Sequence, residues 1–113
     1  MKALLVLFAL TASVLASDLD FLLVNDTSRS FEAIYISATD NRDWNGNVLP
    51  NGKALAAGGK VMVRFPDNAK GEFWDLNVVD DEGFVVRFEG VKLRGADQIT
   101  LKEKNGKVIA EVE

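Results

Sequence analysis

Between Ser17 and Glu113 no stretch of ten or more residues keeps the 3.6-residue apolar period of an amphipathic helix. Apolar residues come instead in short alternating runs that stop at Gly, Asn, Asp or Pro. Side chains on a strand alternate between two faces, so such runs specify sheets with one face to bury. Asp20 to Val24 is almost continuously apolar and ends in the turn-forming cluster Asn25-Asp26-Thr27-Ser28. Phe31, Ala33, Tyr35 and Ser37 alternate with Glu32, Ile34 and Ile36, which puts Ile34 and Ile36 on the outward face together with Val85 and Ile109 of later runs. Val61, Val63 and Phe65 alternate with Met62 and Arg64 until Pro66 ends the run.

Two turns set the register of the last four runs. Trp74, Leu76 and Val78 face inward on one side of Asp81-Glu82-Gly83, and Phe84, Val86 and Phe88 on the other. A three-residue loop with Gly last makes a bulged hairpin, because Gly accepts the left-handed backbone the bulge needs. Counting back from it pairs Val78 with Val86 and Leu76 with Phe88, and sets Asn77 opposite Arg87 on the outer face. Asn105-Gly106 is the preferred two-residue type I′ turn. It pairs Leu101 with Ala110 and Ile99 with Val112 inward, and Thr100 with Glu111 outward.

About seven short strands with one buried face each imply two antiparallel sheets packed face to face, an antiparallel β-sandwich. A small closed β-barrel is the alternative. Residues 17–113 read as a single domain without linker or repeat, and with no cysteine in the chain apolar burial has to hold it together.

The first sixteen residues read differently. Lys2 is followed by an uncharged stretch from Ala3 to Ser17, too short for the roughly 20 residues of a membrane-spanning helix. Val14 and Ala16 supply the small residues of a cleavage site, so residues 1–16 read as a secretory signal peptide. The expected location is periplasmic or secreted, without stable membrane insertion after cleavage. Removing Lys2 makes the remaining chain one unit more acidic than the formal charge of −4 of the whole. That balance, with five scattered Arg, excludes a phosphate-binding patch and so a nucleic-acid partner.

With neither His nor Cys in the chain, Ser-His-Asp and Cys-His catalysis, thiol redox chemistry, haem attachment and Cys/His zinc sites are excluded. What remains is carboxylate chemistry, such as a paired-carboxylate hydrolase, which no motif in the chain supports. The expectation is a non-catalytic protein.

Asn25-x-Thr27, Tyr35-Ile36-Ser37, Trp44, Val48-Leu49, Gly58-Gly59, Val63-x-Phe65, Trp74-Asp75-Leu76-x-Val78, Gly83 and Ile99-Thr100-Leu101 together resemble a family of small exported bacterial all-β domains of uncharacterised function. The resemblance spans most of residues 17–113 and implies fold and location rather than activity. It also implies cysteines at two positions that here are Glu72 and Arg94, so that an ion pair would stand where relatives carry a disulfide. An exposed pair contributes about 0 to 1 kcal/mol against roughly 2 to 4 for a disulfide.

The longest polar segment, Thr39 to Asn47, holds the candidate ligand-binding residues. Trp44 would be a stacking platform, with Asp40, Asn41, Asp43, Asn45 and Asn47 as hydrogen-bonding neighbours, suited to a sugar ring or a partner protein. The competing reading makes Trp44 a plug in one end of the sandwich. Asn41, Asp43, Asn45 and Gly46 also fall at the first, third, fifth and sixth places of a calcium loop, which makes a calcium-stabilised structural protein the alternative function. Gly52 and Pro50 stand where that loop needs a bidentate Glu and no Pro. Asn25-Asp26-Thr27 matches a glycosylation acceptor, and Asp80-Asp81-Glu82 reads as a solvated hairpin tip.

Overall fold

A computed structural model describes residues 17–40, 44 and 46–113; the proposed leader and Asn41, Arg42, Asp43 and Asn45 lie outside the described residues. The described chain is a two-sheet β-sandwich of seven strands, β1 (Phe21–Asp26), β2 (Phe31–Ala38), β3 (Lys60–Val63), β4 (Phe73–Asp80), β5 (Val85–Lys92), β6 (Gln98–Lys104) and β7 (Lys107–Val112), with one 3-10 turn at Pro50–Gly52. The four-stranded sheet runs β3-β1-β6-β7 and the three-stranded sheet β2-β4-β5. The barrel alternative falls, because the two sheets stay separate. Every pairing is antiparallel except β1 with β6, which is parallel. The near-continuous apolar run of β1 fits that central position, where β3 and β6 flank it on both sides, Phe21 and Leu23 are buried in the core and Leu22 and Val24 are half-buried on the outer face.

Both hairpins take the expected register. Val78 lies opposite Val86, Leu76 opposite Phe88 and Asn77 opposite Arg87; Leu101 lies opposite Ala110, Ile99 opposite Val112 and Thr100 opposite Glu111. Asn105 and Gly106 adopt φ of 54° and 78°, the pair of left-handed residues a type I′ turn requires. The inner faces meet in one core built on Phe21, Leu23, Ile34, Leu76, Val78, Ile99 and Leu101.

Burial differs from expectation at two strand ends and in β2. Phe84 and Val112, expected inward, are 65% and 45% exposed, because each sits at a strand end beyond the cover of the facing sheet. In β2, Ile34 and Ile36 are buried, not outward. A bulge between Phe31 and Ala33 adds a residue to β2 and reverses the parity behind it, so Phe31 and Ile34 both point into the core and Ala33, Tyr35 and Ser37 take the outer face.

Three turns at one end are tied together. The Arg29 guanidinium, between β1 and β2, lies 3.4 Å from both Asp80 Oδ2 and Glu103 Oε2 and donates to the Gly106 carbonyl, so one side chain joins the β4–β5 and β6–β7 hairpins across the two sheets.

Candidate functional site

The outer face of the three-stranded sheet carries a polar row formed by strand register. Tyr35 on β2 lies opposite Asn77 on β4, which lies opposite Arg87 on β5. The Arg87 Nε donates to Asn77 Oδ1 at 2.8 Å, which orients the guanidinium, and its Cζ sits 5.4 Å from the centre of the Trp44 ring. A cation above an indole face is an attractive arrangement, worth about 0.5 to 1 kcal/mol where water has access. Trp44 is half-buried on this outer surface and takes no part in the core cluster.

Of the expected neighbours of Trp44, Asp40 is exposed. Asn47 is structural: its Oδ1 accepts the main-chain N–H groups of Ile34 (2.9 Å) and Leu49 (3.0 Å), and its Nδ2 donates to the Glu32 carbonyl. Its side chain is committed to holding the loop against β2. Asn41, Asp43 and Asn45, named both as ligand contacts and as calcium ligands, lie outside the described residues. Among the described residues no three carboxylates converge on a point that could hold a metal ion. Glu72 and Arg94 come close in the chain fold, since Leu93 N–H donates to the Glu72 carbonyl, yet they take other partners. Glu72 pairs with Lys92 at 3.8 Å and Arg94 with Asp18 at 3.9 Å, while Arg94 also donates to the Gly71 carbonyl.

Sequence reasoning did not foresee the work of the buried polar residues. Asn25 is fully buried; its Nδ2 donates to the carbonyls of Arg29 and Leu55 and its Oδ1 accepts the N–H and hydroxyl of Thr27. A side chain so occupied is closed to glycosylation and ties three chain segments together. Asp80, read as part of a solvated tip, is buried and accepts the N–H groups of Glu82 and Phe84 through Oδ1. Asp75, which alternates with the inward Trp74 and Leu76 and so belongs to the outer face, is fully buried there, accepting the Thr39 hydroxyl and Gly90 N–H. Asp20 accepts Phe65 N–H. Each of these carboxylates is bound to main chain or hydroxyl donors, which is the chemistry of turn and bulge support.

No family model matches the chain, and no curated protein does. A solved NMR structure of a protein from Eubacterium rectale is similar, with a TM-score of 0.53 over 82% of this chain and 85% of that one at 15% identity. That likeness is one of fold.

Proposed function

We propose that this protein is an exported, non-catalytic binding module that presents the outer face of its three-stranded sheet to a protein or glycan at the cell envelope. The observation that carries the reading is Trp44, held on that face by the Arg87 guanidinium, which Asn77 in turn orients. A rigid indole with a fixed cation beside it offers flat apolar area and hydrogen-bond donors at little entropic cost, which is what contact centres use. Export is supported by the leader-like residues 1–16 and by the resemblance to exported bacterial domains.

Two measurements test it. Expression of the full chain in a bacterial host, followed by mass spectrometry of the recovered protein, is expected to find Ser17 at the N-terminus; retention of residues 1–16 overturns the export reading. The recovered protein is then screened on a glycan array and against purified envelope proteins beside Trp44→Ala. Expected is loss of the wild-type contacts with a melting temperature lowered by no more than about 4 °C, the equivalent of less than about 1 kcal/mol for a surface change. A fall of several kcal/mol would make Trp44 a structural plug.

A further inference from the structure

The side of the sandwich away from the β5–β7 contact is open at one end, between the edge strands β2 and β3. A cleft of about 600 Å³ lies there, lined by Ile36 and Ala38 of β2, Val63 of β3, and Phe65 and Trp74 behind them. Phe65 and Trp74 meet edge to face at 5.0 Å, and the Trp74 indole N–H is already taken by the Gly71 carbonyl, so the floor is firm and apolar.

Strand parity decides what the β2 edge offers. Thr39 N–H donates to the Phe73 carbonyl, which makes Thr39, Ser37 and Tyr35 the residues that bond toward β4. The N–H and C=O groups of Ile34, Ile36 and Ala38 therefore point the other way. Those of Ile34 are covered, its N–H by Asn47 Oδ1 and its carbonyl by Val48 N–H, and Phe31 exchanges bonds with Leu55. The cover stops there. Ile36 has no main-chain partner among the described residues, and Ala38 has only the Ser37 hydroxyl on its carbonyl at 3.4 Å. An edge with open donors and acceptors is a template for another strand.

The charge of the cleft sets the kind of strand. The chain as a whole carries −4, yet among the described residues the cleft lining holds two cations, Arg64 and Lys70, and no carboxylate. Arg64 Nη1 is 3.8 Å from the buried Asp20 Oδ2, which anchors the guanidinium at the rim.

We propose that this cleft takes an extended acidic peptide segment, which adds beside Ile36 to Ala38 as a further strand of the three-stranded sheet. Its main chain bonds to Ile36 and Ala38, its apolar side chains rest on Phe65 and Trp74, and its carboxylates meet Arg64 and Lys70. The site is separate from the Trp44 face and stands without it.

The test uses the peptide Ac-Val-Glu-Val-Glu-Val-Glu-NH2 against the isotope-labelled protein, followed by amide NMR. Expected are shifts at Ile36 to Ala38 and Val63 to Lys70, amide exchange at Ile36 and Ala38 slowed tenfold or more, and binding weakened at least tenfold by Lys70→Glu with the melting temperature unchanged. Methylating alternate peptide nitrogens abolishes the protection while leaving the charges. No shift at millimolar peptide overturns the proposal, as does equal binding of the Lys-for-Glu peptide or shifts centred on Arg87. Concentration-dependent protection of Ile36 and Ala38 without peptide also overturns it, because a second copy of the chain would then be the occupant.

Discussion

Asn25 shows how much one side chain holds. Both its amide hydrogens and its carbonyl oxygen are used, on Arg29, Leu55 and Thr27, at 0% exposure. Truncation orphans the buried Thr27 N–H, at a cost of about 1 to 3 kcal/mol, and takes one of two donors from each of the Arg29 and Leu55 carbonyls, which keep the Thr27 hydroxyl and the Phe31 N–H. Asn25→Ala is therefore expected to lose about 3 kcal/mol in urea unfolding, whereas Ser28→Ala, at an exposed hydroxyl, loses under about 1. Equal effects would show that the Asn25 network carries no stability. In the sequence Asn25 was visible as a turn former and a glycosylation acceptor but not as a buried tie, because nothing local announces that Leu55, thirty positions away, supplies the second acceptor. Trp44 is the opposite case: composition marked it as the residue to watch, and its place on a face, beside an Arg from another strand, came only from the fold.

At the scale of elements, the hairpins were legible because turn chemistry and alternation are both local; Asp81-Glu82-Gly83 and Asn105-Gly106 each fix a register without help from the rest of the chain. The bulge in β2 was not, since one inserted residue changes which face Ile34 takes while leaving the alternation itself intact. The same scale governs the acid response of the turn end. Glu103 accepts the Ser28 main-chain N–H and then its hydroxyl, and faces Arg29; these hold its carboxyl below the usual glutamate value. A depressed value means that the folded state favours the ionised form. The stabilisation is full above the ordinary carboxylate range and is lost as pH falls through the lowered folded value. A carboxyl carbon titration is expected to place Glu103 below an ordinary glutamate, and Glu103→Gln to flatten the acid side of the melting profile slightly, given how exposed the pair is. A titration at or above the ordinary value would mean that the contact with Ser28 does not persist in solution.

For the whole molecule, the absence of cysteine leaves the two inner faces to supply the cohesion. Leu76 lies fully buried near the middle of β4, between Ile36 and Phe88 of its neighbours. Removing its isobutyl group opens a cavity between the sheets, and such changes cost about 2 to 5 kcal/mol. Total stabilities of single domains run only about 5 to 15 kcal/mol, so Leu76→Ala is expected to consume a large share and lower the melting temperature by roughly 10 to 25 °C. Phe84, 65% exposed just beyond the β4–β5 turn, has the larger side chain, and its replacement by Ala is expected to move the midpoint by less than about 0.5 kcal/mol. The comparison separates burial from hydrophobicity: if the two variants melt together, the sheets are not held by the packing of their inner faces. If Leu76→Ala alone falls, the inner faces carry the cohesion, Ile36 of the β2 edge among them, and the edge offers a partner its main-chain groups rather than its side chains.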